Sequence, residues 1–380
     1  MIYFDNSATT FPTERVRAVC SDTMADELSG NPGSLHKLGV AADTAYGKCI
    51  SGTAALLGAK PSEIIFTSCA TESANTAIRG FMSRNRRAGN TVISTRTEHK
   101  ATLECLAYLE KNGYNVVYIP VLSDGKPDLK VLEDTLAAGD CALMCFTLVN
   151  NETGAVLPSD EILKIRNRVS PSTVYYLDAV QALGKIRMDL HKIGCDMCSF
   201  SGHKIHGLKG VGVLYVRDGI RIDPLILGGG QQRGMRSGTQ SLVLARSFET
   251  ALEEASEGIE AAFDDVSAIN GYLRRELAAR KAMILSPDDA LPYVLNVSFE
   301  GFESETMLHC LEIYDIFVST VSACSSKSKK VSYVLLESGV PQKIAANAVR
   351  ISFSRYNTMH EAEEFIRCVD EIYDKFAVRR

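Results

Sequence analysis

The chain has 380 residues, 46% of them hydrophobic and 23% charged, with a formal net charge of −5. These values suit a globular protein of one or two domains with a sizeable core, and they argue against a largely disordered chain. They give no basic footprint for nucleic acid. The start, "MIYFDNSATT", lacks a signal peptide's regions, and the longest apolar run (about Ala142–Val149) falls short of the roughly 20 residues a membrane helix needs. The expectation is a soluble cytoplasmic protein without direct nucleic-acid or membrane contacts.

Taken in chain order, Glu14–Leu28 reads as a helix ending at the turn Gly30–Asn31–Pro32–Gly33, and His36–Leu57 as a second helix ending at Gly58. Short β-rich runs then alternate with helical ones. Strands are predicted at Glu63–Thr67, Thr91–Ser94, Asn115–Ile119, Cys141–Val149, Val174–Leu177, Met197–Phe200 and Val211–Val216. Helices are predicted at Thr71–Ser83, Lys100–Asn112, Leu129–Ala138 and Ser159–Val169. The alternation predicts βαβ units and a mostly parallel sheet, an α/β fold. A long helix over Leu242–Leu277 leads to a second region, with strands at Tyr293–Phe299, Phe317–Ser319 and Ala348–Phe353 and helices at Glu303–Tyr314 and Glu361–Phe376. We expect a large α/β domain over residues 15–255 and a smaller α+β domain over 1–14 and 256–380.

Eleven cysteines are scattered along the chain, and a reducing compartment would keep most of them as small core residues. Cys195 and Cys198 form a lone C-x-x-C inside a predicted strand, without a second pair at zinc-finger spacing. They read as core. His203 and His206 flank Lys204 in a glycine-rich loop without nearby acidic residues, so no metal site is expected.

Ligands of open α/β sheets bind beyond the carboxyl ends of the strands. The residues that follow the predicted strands here are Ser68–Ser73, then Glu98 and His99, then Asn150–Glu152, then Asp178 and Gln181, then Ser201, His203 and Lys204. Each has a bland reading alone: a surface lysine, a capping aspartate, a structural histidine. Together they describe one chemistry. A desolvated lysine is partly a free amine and forms Schiff bases with carbonyls. A helix opening at Ser68–Ser73 offers N–H groups to a phosphate. An aspartate at a strand end can hold a pyridine nitrogen protonated, so that the ring is an electron sink, and a histidine can lie flat on that ring. The set suggests pyridoxal 5'-phosphate.

The stretches "YFDNSATT", "GNPGS", "IIFTSCATES", "TEHKA", "VNNETGAV", "LDAVQALGK", "SFSGHKIHGLKG", "GGGQQRGMRSGT", "LNVSF", "SACSS" and "VRISFSRYNT" span nearly the whole chain. In this order the sequence resembles the cysteine desulfurases of the sulfur-mobilising, iron–sulfur-assembly type, within the class V aminotransferase group of pyridoxal phosphate enzymes. The resemblance implies fold type I of these enzymes. It implies that Lys204 holds the cofactor as a Schiff base, Asp178 pairs with the ring nitrogen, Gln181 bonds the ring oxygen and His99 stacks on the ring. Thr71, Ser201 and His203 would bind the phosphate, and Thr239 would reach the phosphate of a neighbouring subunit, implying a homodimer. Asn151 and Arg350 would hold the carboxylate of L-cysteine. Cys324 would take the substrate sulfur as a persulfide and deliver it to an acceptor protein, leaving alanine. Other activities of the group remain open here: a class V aminotransferase, a selenocysteine lyase or a sulfinate desulfinase. So does a partner-dependent or inactive sulfur-transfer scaffold.

The chain departs from the family pattern in places. Cys69 stands where glycine is usual, and Thr320 and Val321 replace small residues before Cys324. The basic run "SSKSKK" after Cys324 reads either as a solvated loop or as a docking surface for an acidic acceptor.

Overall fold

The computed structural model describes residues 1–25, 28–280, 282–320 and 331–376. A short strand β1 (Ile2–Tyr3) and helices α1 (Glu14–Thr23) and α2 (Lys37–Leu56) come first. There follow β2 (Ile64–Thr67), α3 (Ala70–Arg84), β3 (Thr91–Ser94), α4 (Lys100–Lys111), β4 (Asn115–Tyr118), α5 (Leu129–Ala137), β5 (Cys141–Thr147), α6 (Ser159–Val169), β6 (Val174–Asp178), α7 (Leu190–Ile193), β7 (Met197–Ser201) and β8 (Gly212–Val216). The remainder comprises α8 (Leu242–Ser256), α9 (Ile259–Ala278), β9 (Ala282–Ile284), β10 (Val294–Phe299), α10 (Ser304–Glu312), β11 (Ile316–Phe317), β12 (Ser319–Thr320), α11 (Tyr333–Glu337), α12 (Gln342–Ala345), β13 (Ala348–Ser352) and α13 (Met359–Phe376).

Seven strands form one sheet in the order β2-β8-β7-β6-β5-β3-β4. The pairs among β3 to β7 are parallel, and β8 runs antiparallel to both β7 and β2. This is the mostly parallel sheet flanked by helices that the alternating pattern predicts. Its central strands read as unbroken apolar runs because helices cover both faces, and β5, β6 and β7 are almost entirely buried. Strands β2, β3, β5, β6 and β7 all point the same way, so their carboxyl ends meet at one edge.

A second, antiparallel sheet has the order β12-β13-β10-β9, and β1 pairs with β11 in parallel. One hydrophobic cluster runs from the large sheet (Phe146, Tyr175) to the small one (Leu295, Phe353). Cys195 and Cys198 lie buried in it.

The long helix expected over Leu242–Leu277 is two helices, α8 and α9, separated at Glu257–Gly258. Gly258 takes a left-handed conformation with φ of 57°, which turns the chain between them. The apolar spacing carries through the break, so periodicity alone hides it. The first helix also stops earlier than expected, at Thr23.

Residues 5–10 run between the two sheets. The Ser7 amide donates to Ser352 Oγ at 2.8 Å, and the Thr10 amide donates to the His203 carbonyl at 2.9 Å. This segment therefore ties β13 to the loop after β7.

Candidate active site

The parallel strand ends and the threaded N-terminal segment enclose a cavity of about 830 Å³. Thr71, His99, Asn151, Asp178, Gln181, Ser201, His203, Lys204 and Arg350 all line it. The sequence placed these nine residues at strand ends or assigned them by resemblance, and the fold brings them together.

The loop after β7 is tight for identifiable reasons. A Cβ on Gly202 would sit 2.9 Å from Val211, and His206 adopts φ of 68°. The resulting turn carries Lys204 back beneath the N-terminal segment, where its Nζ donates to the carbonyls of Ser7 at 2.5 Å and Ala8 at 2.7 Å. An ammonium held on two backbone oxygens is fixed in place at the cavity wall.

Asp178 ends β6 and is buried, with Oδ1 accepting from the Val180 amide at 3.0 Å. Burial pushes its pKa up, and the nearby His99 and Lys204 act against that push. A cation brought against this carboxylate would satisfy it. His99 is the N-cap of α4, and its Nδ1 accepts from the Ala101 amide at 3.1 Å. The capping bond places the ring proton on Nε2. Desolvation lowers the His99 pKa, with Asp178 opposing and Lys204 reinforcing. The ring is thus neutral near pH 7, with one face open to the cavity. Glu98, beside it, is buried, and burial raises its pKa to about 8 despite hydrogen bonds from Thr95 and Thr147.

Helix α3 begins at the cavity and has no side-chain cap, so its first N–H groups are available to an anion. Cys69 sits at its N-cap in extended backbone that any residue adopts, so the side chain there brings no strain. The space constraint falls instead on Gly212, where a Cβ would lie 2.6 Å from the Cys69 carbonyl carbon. Ser201 and His203 flank the same region. His203 Nδ1 is 3.1 Å from Thr9 Oγ1, and burial with the neighbouring Lys204 and Lys209 lowers its pKa to about 4.

On the opposite wall stands Arg350 of β13. Its Nη1 donates to the Asn151 carbonyl at 3.0 Å and its Nη2 to Asp5 Oδ1 at 2.9 Å. Its Nε and the Ser7 Oγ are buried without hydrogen-bond partners among the described residues. Asp5 is a site residue that strand-end reasoning missed, because it reaches the cavity from the N-terminal segment. Glu152, which the sequence placed at a strand end without a role, also lines the cavity. It is buried, with its pKa raised to about 7 by desolvation, and it bonds to Ser332.

Four further sequence readings remain, and among the described residues Thr320 is the one of them that lines the cavity. Thr239 is exposed and does not line the cavity. Cys324, with Val321 and the basic run after it, lies outside the described residues. Thr320, the other departure before Cys324, is buried in β12 and pairs with Val349. His206, weighed as a ligand, bonds through Nδ1 to the Phe11 carbonyl at 2.9 Å. Among the described residues no cluster of His, Cys, Asp and Glu is arranged to hold a metal, and no helix is long and apolar enough to cross a membrane.

The donor set suits pyridoxal 5'-phosphate. It offers a tethered amine for the aldehyde, a buried carboxylate for the ring nitrogen, a flat neutral imidazole for the ring face and an uncapped helix start for the phosphate.

The chain matches the family model described as aminotransferase class-V over residues 2–365. It is 39% identical to a NifS/IcsS protein homologue of Lactobacillus delbrueckii subsp. bulgaricus, covering 99% of this chain and 98% of the relative. It is 36% identical to the cysteine desulfurase NifS of Azotobacter vinelandii, covering 98% of this chain and 92% of the relative. Among solved structures it superposes on a NifS-like protein with a TM-score of 0.93 at 38% identity, covering 98% of this chain and 99% of that one.

Proposed function

The chain belongs to the class-V aminotransferase family and is a cysteine desulfurase, and from that premise we propose how its residues divide the work. The reading rests on one observation above the others: Lys204, Asp178, His99 and Arg350 face a single cavity.

Pyridoxal 5'-phosphate, when bound there, supplies an electron sink that labilises bonds at the substrate Cα. Lys204 would hold it covalently, and its Nζ would take the proton from the substrate Cα. The carbonyls of Ser7 and Ala8 hold that nitrogen in place. Asp178 would be kept ionised by a protonated ring nitrogen, since a cation placed there would offset the carboxylate's burial. Gln181 donates to the ring oxygen. Thr71, Ser201, His203 and the first turn of α3 take the phosphate.

Arg350 and Asn151 take the carboxylate of L-cysteine. A guanidinium fork fits that planar group, and Asp5 orients the fork before substrate arrives. His99, neutral and carrying its proton on Nε2, lies against the ring and moves protons there. The Cys324 thiolate would attack the substrate sulfur, the S–S bond forming as the Cβ–S bond breaks; the bonding electrons would stay with Cβ, which takes up a proton and leaves as part of alanine, and the persulfide sulfur would pass to an acceptor protein.

Two copies of the chain form the working unit. Thr239 is exposed, as a residue serving a neighbouring subunit would be, and Ser237, two residues before it, donates its amide to the carbonyl of Ile226 in the exposed apolar run Leu225–Leu227.

Trapping tests the sulfur route. After reaction with L-cysteine and alkylation, peptide mass analysis should find the added sulfur on the peptide bearing Cys324. Added sulfur on another cysteine alone would remove Cys324 from the carrier role.

A further inference from the structure

A second lysine lies buried behind the cavity. Lys185 is only 6% exposed, and its Nζ donates to Gln181 Oε1 at 2.7 Å. The other end of the same amide, Nε2, donates to the Ser7 carbonyl at 3.0 Å. That carbonyl is also one of the two that hold Lys204. A continuous chain of contacts thus runs from Lys185 through Gln181 and Ser7 to Lys204.

The two partners of Gln181 leave its amide one orientation. An ammonium only donates, so Oε1 must face Lys185. A backbone carbonyl only accepts, so Nε2 must face Ser7. The Gln181 side chain lines the cavity, so the end presented there is the N–H end. Without Lys185 only the Ser7 carbonyl holds the amide in this orientation, so the amide turns its oxygen inward more readily. Burying a lysine costs several kcal/mol unless it is well bonded, and a methionine would fill this space more cheaply if packing were the only requirement.

We propose that Lys185 is a positioning residue that fixes the Gln181 amide with its N–H end toward the cavity, and so sets how strongly the ring oxygen of the bound cofactor holds a negative charge. This rests on the reading of Gln181 as the donor to that oxygen. Desolvation, with Lys204 and Arg350, lowers the Lys185 pKa to about 7. The titratable and charged groups that line the same small cavity are Lys204, His206, Glu254, Arg355, Tyr356 and Tyr293, whose ring centroid is 5.9 Å from Nζ. Arg350 acts on it from farther away.

The test is a spectrophotometric pH titration of purified holoenzyme without substrate, following the visible band of the lysine-bound cofactor. A lost donor to an anionic oxygen raises the proton affinity of that chromophore, so Lys185→Met should move the midpoint upward by about one pH unit. Gln181→Met should move it similarly, and the double variant should move it no further. Lys185→Arg, which keeps a cationic donor, should restore the midpoint toward the wild-type value, and it serves if the methionine variant fails to fold. A wild-type midpoint in Lys185→Met, or additive shifts in the double variant, overturns the positioning role. If Lys185→Met shifts the midpoint while Gln181→Met does not, the reading of Gln181 fails, and this inference with it.

Discussion

The two walls of the cavity are built in different ways. The sheet wall carries Asp178, His99, Ser201 and Lys204, each at the end of a strand or at the start of the segment after it. Its ionisable groups are close enough to act on one another, and desolvation displaces them: Asp178 upward, His99 and His203 downward. The opposite wall carries Asp5 and Arg350, which are far apart in sequence and form an ion pair at 2.9 Å. On the proposed reading, the first wall would give its charges to a cofactor, and the second holds a paired charge that a substrate carboxylate would share. Buried groups tune chemistry, and a paired arginine tunes affinity.

That contrast predicts where changes act. The largest effect is expected on the sheet wall. Lys204→Ala should abolish covalently bound, visible-absorbing cofactor and lower turnover by about 10³-fold or more, the scale of losing both anchor and base. Retention of the bound chromophore in that variant would remove Lys204 from its role. On the opposite wall the effect should fall on KM. Arg350→Lys loses the two-pronged grip, so KM for L-cysteine should rise about 10–100-fold with a smaller change in kcat. Asp5→Asn keeps the shape and weakens orientation, so KM should rise by about 10-fold or less. Equal loss of kcat and kcat/KM in both variants would place this wall in the chemical step instead.

The smallest effect concerns stability. Glu98 has a folded-state pKa of about 8, above its ordinary value. The folded protein therefore binds the extra proton, and this contribution is present at low pH and lost as pH rises through about 8. Lys185 works in the opposite sense, since its folded pKa is lowered to about 7 and its contribution is lost as pH falls through that value. In Glu98→Gln the loss between pH 4.5 and about 8 should vanish, leaving the variant about 2 kcal/mol more stable than the parent near pH 9. Denaturant unfolding at several pH values measures this. An unchanged slope across that range would show that Glu98 is not the group responsible.

The same two walls explain what the sequence could disclose. The sheet wall was legible because strand ends follow short apolar runs, and polar residues at those points line up in chain order. Lys204, Asp178 and His99 carried that signal before any resemblance was considered. On the opposite wall Arg350 was legible only through resemblance, Asn151 stood at a strand end without a role until the resemblance gave it one, and Asp5 was assigned by neither. The Asp5–Arg350 pair depends on residues 5–10 threading between two sheets, a long-range contact that no local pattern encodes. The Lys185–Gln181 contact was missed for another reason. Lys185 stands in the quoted stretch "LDAVQALGK", but a lysine four residues after a glutamine reads as a solvated residue. Its burial appears only once the surrounding segments are packed. The break between α8 and α9 had a local sign, Gly258, which the continuing apolar period outweighed.

The most direct measurement of the central claim is a product assay. Purified protein is incubated with pyridoxal 5'-phosphate, L-cysteine and a reducing thiol, and alanine and sulfide are quantified together, with Cys324→Ala run beside it. The account predicts equimolar alanine and sulfide from the parent and loss of both in the variant. Undiminished products from Cys324→Ala, or neither product from a yellow, cofactor-loaded parent, would contradict it.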